Sequence, residues 1–323
     1  RKQNLSSVLR NMFNLDYAVM GITETRLTHH ESFPLNDDGT KDLALNTGPA
    51  AVKYRSLWNT ATRYESEPGH TGVALIWDAR IPGENAWVSP TGRLAGITLN
   101  GPVGQGVRVL CVYGPASPAS CPKTVARLHR DLLNEFSRAR RKNLPVIVMG
   151  DFNDVPDGDL QFAHRVRKYP TRYNLINALS TRSLDVFRTI HPTIHGHTFQ
   201  RKKKKKNQEA DGESKLGEEA SSSDSETPIE DADVDSCPPS PTPSIDEEVE
   251  EAELATASSE EEEEALSLPS RIDSLWVPKK WKNTLASEAS RASVDQSKMA
   301  WDFTDHFPVT GAVSFNAVFG TSS

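Results

Sequence analysis

The stretch Met149-Gly150-Asp151-Phe152-Asn153 follows directly on the apolar run Val146-Ile147-Val148, with Pro145 just before that run. A short apolar run bounded in this way predicts a buried β-strand. The strand would end by presenting a carboxylate, Asp151, and an amide, Asn153, at its carboxyl end. Open α/β sheets place their chemistry at this end of their strands. The stretch therefore predicts both a central strand and a functional site.

Two further strings put chemically capable side chains beside strands. Thr304-Asp305-His306-Phe307-Pro308 precedes the strand-like residues 309–315, and Asp273 lies inside the apolar segment Arg271–Val277. Burying an unpaired carboxylate is costly, so Asp273 is expected to have a partner. Acids, an amide and an imidazole at strand ends are the groups that a divalent cation and a phosphate ester require.

Charge is distributed unevenly along the 323 residues, whose formal net charge is −7. Between Asn207 and Glu264 there are 22 acidic residues and one lysine, so the rest of the chain carries a net charge of +14. A basic folded part suits a polyanionic partner such as DNA.

No apolar run approaches the roughly 18 residues that span a bilayer, so no membrane partner is expected. Because the chain begins with Arg1, we expect a fragment.

The three cysteines, Cys111, Cys121 and Cys237, do not have the spacing of metal ligands. Their small number favours a reducing intracellular compartment. Cys111 lies in an apolar segment, which is typical of a small core residue.

Residues 201–269 are rich in Lys at first and then in Glu, Asp, Ser and Pro, a composition that cannot bury enough apolar surface to fold. We predict a disordered basic-then-acidic insertion at 201–269 that divides one domain into residues 1–200 and 270–323. The basic run Arg201–Lys206 has two functional interpretations, neutralisation of DNA phosphates or nuclear import, beside that of a solvated charge run. A further hypothesis is that the acidic tract after it mimics DNA and shields the basic face.

Periodicity predicts mixed helices and strands in the remaining chain. Helices are expected at Leu5–Leu15, at Pro122–Arg141 and within Leu175–Ile190. Residues 28–69 receive no assignment. Strands are expected at Tyr17–Ile22, Gly72–Trp77, Leu94–Leu99, Val107–Tyr113 and His197–Phe199, with the third and fourth forming a hairpin. This order predicts two packed sheets with helices outside.

Six strings together resemble the endonuclease/exonuclease/phosphatase superfamily, which has the DNase I-like fold. In chain order they are Thr23-Glu24-Thr25-Arg26, Val112-Tyr113-Gly114-Pro115, Gly150-Asp151-Phe152-Asn153, Thr198-Phe199, Arg271-Ile272-Asp273 and Asp305-His306-Phe307-Pro308. The resemblance implies an α/β (α+β) fold, a four-layer α/β/β/α sandwich. Two more strings, Gly72–Ile76 and Leu184–Pro192, resemble the endonuclease domain of LINE-type (non-LTR) retrotransposons.

The sequence departs from the family pattern in three places. The first strand of the family carries an Asn that helps to hold the metal, and nothing in this sequence matches it, so we expect a fold lacking its first strand. Thr304 stands where the family has Ser, and Phe199 stands where it has Trp.

The resemblance implies a role for each matching residue. Glu24 and Asp305 would hold Mg²⁺, or Mn²⁺ in its place. Asp151 would orient the attacking water or protonate the leaving oxygen, and Asn153 would donate to a phosphate oxygen. His306 would act as general base or electrostatic stabiliser, with Asp273 holding its other ring nitrogen. Tyr113 would donate to the phosphate, and Thr198 would support the cluster from behind.

The leading hypothesis is a metal-dependent phosphodiester hydrolase, a DNA-nicking endonuclease domain of a retrotransposon-derived protein. Its 3′-hydroxyl product would prime a reverse transcriptase domain C-terminal to this chain. The protein would act in the nucleus, with the cytoplasm as the alternative location. The alternatives are a superfamily member acting on RNA or on phospholipid head groups, and a truncated, inactive remnant. Taken singly, Asp151 is typical of a turn, and Tyr113, His306 and Glu24 are typical of core or surface residues. Only their ordered co-occurrence favours a site.

Overall fold

The structure of this protein is a computed structural model. It describes residues 2–14, 17–25, 35–45, 51–60, 71–101, 105–116, 118–154, 174–194, 273–285, 291–294 and 309–312. All of these residues belong to one compact unit, which is built from residues 1–202 and 263–323. Within the described residues, no helix combines the length and the apolar character that crossing a membrane requires. The predicted boundaries of the insertion, 201 and 269, lie outside the described residues and stay predictions.

The first sheet is antiparallel throughout. Its strands are β1 (Val19–Thr23), β2 (Thr40–Leu45), β3 (Val52–Asn59) and β4 (Val73–Asp78), and they pair in the order β1-β4-β3-β2. β4 pairs with β1 and β3 on its two edges, and its side chains are buried along most of its length because both faces of the sheet are covered. Helix α1 (Lys2–Asn14) covers the outer face of this sheet with the buried side chains of Val8, Leu9 and Met12.

The second sheet is mixed and carries the strand that ends at Asp151. Its strands pair in the order β5-β6-β7-β8-β10-β9. They are β5 (Gly83–Val88), β6 (Leu94–Asn100), β7 (Gly106–Tyr113), β8 (Val146–Asp151), β9 (Ser183–Asp185) and β10 (Asp273–Pro278). β7 and β8 run parallel, and the other neighbours run antiparallel. The parallel pair requires a crossover, which helix α2 (Pro122–Arg141) supplies.

Alternation along the strands divides the interior into three apolar clusters, and these clusters define the layers. Val109, Cys111, Leu75 and Trp77 belong to the cluster between the two sheets. The cluster beneath α2 and α3 (Leu175–Ser180) contains the intervening residues of β7 and β8. The third cluster fills the space between α1 and the first sheet. The layers are therefore helix, sheet, sheet and helix, as the resemblance implied.

Helix α2 begins at Pro122, whose fixed φ suits the first helical position. Its last turn is basic, and these positive charges are attracted to the negative end of the helix dipole. Its buried face contains two carboxylates, and one of them pairs with a buried cation of the sheet. Arg108 of β7 donates to Glu135 from Nε at 2.9 Å and from Nη2 at 2.5 Å, and Arg138 donates to the other carboxylate oxygen at 2.7 Å. Burial lowers the pKa of Arg108, but the charge of Glu135 opposes that shift. This ion pair fixes the helix on the sheet.

The structure confirms most of the predicted elements. Helices α1 and α2, the strands at β1, β4 and β8, and the β6–β7 hairpin stand where the periodicity placed them. β10 covers residues 273–277 of the predicted segment 271–277, and residues 271 and 272 lie outside the described part of the chain. Of the predicted strand 309–315, residues Val309–Ala312 form β12, which pairs with β11 (Arg291–Val294). The predicted strand at His197–Phe199 lies outside the described residues.

Residues 28–69, which received no assignment, contain the strands β2 and β3, and β5 was also missed. The helical segment predicted within Leu175–Ile190 is interrupted. α3 ends at Ser180, β9 then pairs with β10, and α4 (Val186–Ile190) restarts with the Asp185 carboxylate accepting from the backbone N–H of Arg188 at 3.1 Å. A short 3₁₀ turn (Lys279–Trp281) and helix α5 (Lys282–Leu285) follow β10.

Replacing Glu135 with Gln should destabilise the protein by about 3 kcal/mol, because Arg108 would remain buried without a counter-charge. The free energy of unfolding in urea measures this effect. The matched control is Asp42→Asn, because Asp42 pairs with Arg55 across the first sheet and its side chain is 84% exposed. The control should cost less than about 1 kcal/mol. Equal unfolding curves for Glu135→Gln and the wild type would contradict the structural role of this pair.

Candidate active site

Strand register places three of the predicted site residues in one row across the second sheet. Tyr113 of β7 is the register partner of Asp151 of β8, and Asp151 is the register partner of Asp273 of β10. Register partners on neighbouring strands share a face of the sheet. The residues two positions away on each strand, Cys111, Met149 and Leu275, pack in the cluster between the sheets. Side chains two positions apart on a strand share a face, so the row lies at the end of this same inner face.

Gly150 is required for the close approach of β7 and β8 immediately before Asp151. Its φ of +139° is a conformation that L side chains rarely adopt, and a Cβ placed there would lie 2.0 Å from the carbonyl oxygen of Val112. A glycine at this position therefore lets the two strands lie side by side up to the point where the site begins.

A tight turn after β8 fixes the orientation of the Asp151 carboxylate. Asp151 is 2% exposed, and its Oδ1 accepts from the backbone N–H of Asn153 at 2.7 Å. Asn153 has a φ of +51°, which asparagine tolerates better than most residues. Its side-chain Nδ2 donates to the carbonyl oxygen of Gly114 at 2.8 Å and to Asp151 Oδ2 at 3.2 Å. The turn thus joins the ends of β7 and β8.

A hydrogen bond between side chains links this row to the first sheet. The Tyr113 hydroxyl donates to Glu24 Oε1, and the two residues are 89 positions apart in the chain. Glu24 follows the end of β1 with a φ of +51°, and its side chain is exposed. Below this bond the Cys111 Sγ lies 3.6 Å from the carbonyl oxygen of Ile22. Glu24, Tyr113, Asp151, Asn153 and Asp273 are therefore gathered at one end of the two sheets.

The family described as endonuclease/exonuclease/phosphatase matches residues 1–180. The chain belongs to this family. Its fold is similar to a 3′-5′ exonuclease from Neisseria meningitidis, with a TM-score of 0.51, 16% identity and 96% of each chain covered. It is also similar to a 3′ phosphatase from Neisseria bound to a product DNA hairpin, with a TM-score of 0.50, 16% identity, and 95% of this chain and 93% of that chain covered. No curated protein matches this sequence.

In this member of the endonuclease/exonuclease/phosphatase family, the phenol of Tyr113 is held in its neutral form. Burial raises the pKa of Tyr113 well above its usual value, and the hydrogen bond to Glu24 and the negative charges of Glu24 and Asp151 raise it further. Arg93 opposes these effects with its positive charge. Tyr113 is therefore a hydrogen-bond donor at any physiological pH.

Arg93 belongs to this site, although the sequence analysis did not predict it. Its guanidinium carbon lies 4.8 Å from the centre of the Tyr113 ring, and its backbone carbonyl accepts from the Tyr113 N–H at 2.8 Å. The guanidinium is buried, with Arg93 only 8% exposed. A cation over an aromatic face is attracted to the negative face of the ring. The available signal was a charged residue directly before the apolar strand β6.

The loop that carries Arg93 is anchored on both sides. Asn59, at the end of β3, donates from Nδ2 to the carbonyl oxygens of Ser89 and Leu94 at 2.7 and 2.9 Å. Ser89 in turn donates from its hydroxyl to the Asp131 carboxylate of α2 at 2.7 Å. These bonds join the first sheet, the loop and α2. Arg93 is thus held on a supported segment.

The donor atoms around Glu24 fit a hard divalent cation. Mg²⁺ prefers oxygen ligands, is often bound through one or two carboxylates and keeps several waters, which agrees with an exposed Glu24 carboxylate at the end of a strand. The adjacent Thr25 Oγ1 is buried and, within the described part of the chain, has no hydrogen-bond partner. Among the described residues, no three His, Cys, Asp or Glu side chains cluster as a complete metal site.

Three predicted site residues, Asp305, His306 and Thr198, lie outside the described residues, and their places at the site stay predictions. The expected pairing of Asp273 with His306 is untested for the same reason. The described residues therefore include one half of the predicted metal pair, Glu24, and the three residues predicted to face the phosphate, Tyr113, Asp151 and Asn153.

The neutral state of Tyr113 predicts how stability depends on pH. Above pH 10 the unfolded tyrosine loses its proton while the folded one keeps it, so the free energy of unfolding should fall as pH rises. Replacing Tyr113 with Phe removes this contribution. Between pH 10 and 11 the wild type should lose about 1 kcal/mol more than Tyr113→Phe. Urea unfolding at pH 8 to 11 measures both slopes, and parallel slopes would contradict a buried neutral phenol.

Proposed function

We propose that this protein is a divalent-cation-dependent phosphodiesterase that nicks one strand of duplex DNA, as the endonuclease domain of a LINE-type retrotransposon-derived protein. The observation that carries this proposal is the meeting of Glu24, Tyr113, Asp151, Asn153 and Asp273 at one end of two sheets. Membership of a family of nucleases and phosphatases supports hydrolysis of a phosphate ester as the reaction.

Glu24 would hold the cation together with Asp305. When bound, Mg²⁺ or Mn²⁺ would neutralise charge that develops on the phosphate and on the leaving oxygen. Tyr113 donates to Glu24 and so fixes the direction of the carboxylate before any ligand arrives. This prior orientation reduces the reorganisation that binding would otherwise require.

Asp151 would orient the water whose oxygen attacks phosphorus, or supply a proton to the O3′ that leaves as the P–O3′ bond breaks. Its burial and its bond from the Asn153 backbone restrict it to one orientation. The Asn153 amide would also donate to the substrate. When substrate binds, we expect its longer hydrogen bond, to Asp151 Oδ2 at 3.2 Å, to be replaced by one to a phosphate oxygen.

Tyr113 and Arg93 would offset negative charge at the site. The single O–H of the neutral phenol would turn from Glu24 to a phosphate oxygen when substrate binds, and the buried Arg93 guanidinium offsets the negative charges of Glu24 and Asp151 near the ring. Asp273, the register partner of Asp151, would orient His306 as general base or electrostatic stabiliser. Thr198 would support the cluster from behind.

DNA is the proposed substrate because the chain outside residues 207–264 has a net charge of +14. The strings at Gly72–Ile76 and Leu184–Pro192 favour the retrotransposon branch. In the second string Arg188 donates from Nη1 to the carbonyl oxygens of His191, Pro192 and Ile194 at 2.9 to 3.3 Å. The string thus shapes the turn after α4. The nicked 3′-hydroxyl would serve a reverse transcriptase domain C-terminal to this chain, in the nucleus.

Nicking of supercoiled plasmid tests the proposal. With Mg²⁺ the protein should convert supercoiled plasmid to open circles, and EDTA should stop the conversion. Asp151→Ala and His306→Ala should each lower the rate at least about 100-fold, the range that general acid–base groups contribute. Asp37→Ala is the matched control, since Asp37 is exposed in the turn before β2, and it should nick at the wild-type rate.

A substrate panel decides between this function and its alternatives. Supercoiled plasmid, poly(A) and a phosphoinositide are offered at equal phosphate concentration. Faster hydrolysis of poly(A) or of the phosphoinositide would replace DNA as the substrate. No hydrolysis of any of the three by a folded wild-type protein would favour an inactive remnant.

A further inference from the structure

An open cavity of about 390 Å³ lies at the end of the second sheet opposite the candidate active site. The second half of α2 forms one wall through Phe136 and Arg140. Arg182 and Ser183, at the start of β9, and Lys280, after β10, form the other walls. A volume in this range is typical of sites for small ligands.

The cavity is separate from the catalytic row. β8 begins at Val146, which lines the cavity, and reaches Asp151 five residues later. β10 runs in the opposite direction, from Asp273 to Pro278, which also lines the cavity. At about 3.3 Å per residue the two sites lie roughly 17 Å apart.

The charged residues that line the cavity are all cations. Arg140, Arg182 and Lys280 come from three different elements, and the described lining contains no acidic residue. The Arg182 guanidinium is held in place because its Nη1 donates to the carbonyl oxygen of Ala178 at 2.9 Å and to Thr181 Oγ1 at 2.8 Å. A guanidinium group whose position is fixed can bind phosphate oxygens through paired N–H donors.

Ser183 adds a buried hydroxyl to the lining of the cavity. It is 2% exposed, it lines the cavity, and its Oγ is buried without a hydrogen-bond partner in the part of the chain that the structure describes. Leaving a buried hydroxyl without a partner destabilises a protein, and most buried polar groups bond to another protein group or to an ordered water. A ligand oxygen in the cavity would provide the missing acceptor.

We propose that this cavity is a binding site for a phosphate group, carried either by a free mononucleotide or by the end of a nucleic-acid strand. Arg140, Arg182 and Lys280 would neutralise the phosphate, and the Ser183 hydroxyl would donate to one of its oxygens. Phe136 and Pro278 give the cavity an apolar wall against which the rest of the ligand packs. A cavity with three cations suits the dianionic charge of a terminal phosphate better than the single charge of a carboxylate.

Calorimetric titration of the full chain with AMP, in EDTA so that no hydrolysis occurs, tests the site. The wild type should bind AMP saturably at one site and should not bind adenosine. The double variant Arg140→Gln, Lys280→Gln should bind AMP at least about tenfold more weakly. The matched control is Lys142→Gln, Lys279→Gln, which removes two nearby exposed lysines that do not line the cavity and should leave the affinity unchanged.

Ser183→Ala gives a test in which two readouts move in opposite directions. Removing a buried hydroxyl without a partner should keep or raise the free energy of unfolding of the ligand-free protein. The same change should weaken AMP binding about tenfold if the hydroxyl contacts the phosphate. A hydroxyl with only a structural role would leave AMP affinity unchanged, and this outcome would remove Ser183 from the site.

Two short oligonucleotides, one with a 5′-phosphate and one with a 5′-hydroxyl, identify the source of the phosphate. Binding that depends on the 5′-phosphate and is lost in the Arg140, Lys280 double variant assigns the cavity to strand ends, whereas binding of AMP alone assigns it to free nucleotides. The proposal is overturned if AMP shows no saturable binding, if adenosine binds equally well, or if both double variants lose the same affinity.

Discussion

The hydrogen bond from Tyr113 to Glu24 is the contact on which the arrangement of the site depends. It joins the end of β7 in one sheet to the end of β1 in the other, across the apolar cluster that separates the two sheets. The two sheets already pack against each other through that cluster, and this bond sets the direction of the carboxylate proposed to hold the cation. Burial keeps the phenol neutral, so the bond persists over the whole physiological pH range.

Strand register provides the rest of the geometry. Parallel pairing of β7 with β8 and antiparallel pairing of β8 with β10 place Tyr113, Asp151 and Asp273 side by side on the inner face. Gly150 makes the first pairing sterically acceptable, because any Cβ would collide with the backbone of Val112. The ion pair of Arg108 with Glu135 holds the crossover helix on the outer face of the same strands. In the part of the site that the structure describes, backbone pairing between strands thus fixes Tyr113, Asp151 and Asp273.

Local patterns predicted the elements whose own residues determine their structure. β8, β10 and α2 have apolar runs or a helical period, and Asp151 and Asp273 could be picked out because they interrupt apolar segments. β5 was missed because it is an edge strand with partly exposed residues, and the break after α3 was missed because β9 exists only through pairing with β10. The contacts of Glu24 and Arg93 with Tyr113 are long-range and have no local signal. Roles for Asp305, His306 and Thr198 still rest on the family resemblance.

A double-mutant cycle on Tyr113→Phe and Glu24→Gln tests the central contact most directly. The free energy of unfolding in urea is measured at pH 7 for the wild type, both single variants and the double variant. Because Glu24 is exposed, the expected coupling is about 1 kcal/mol, so the double variant should lose less stability than the sum of the single losses. Additive losses, agreeing within about 0.3 kcal/mol, would contradict a bond between the two sheets at this position.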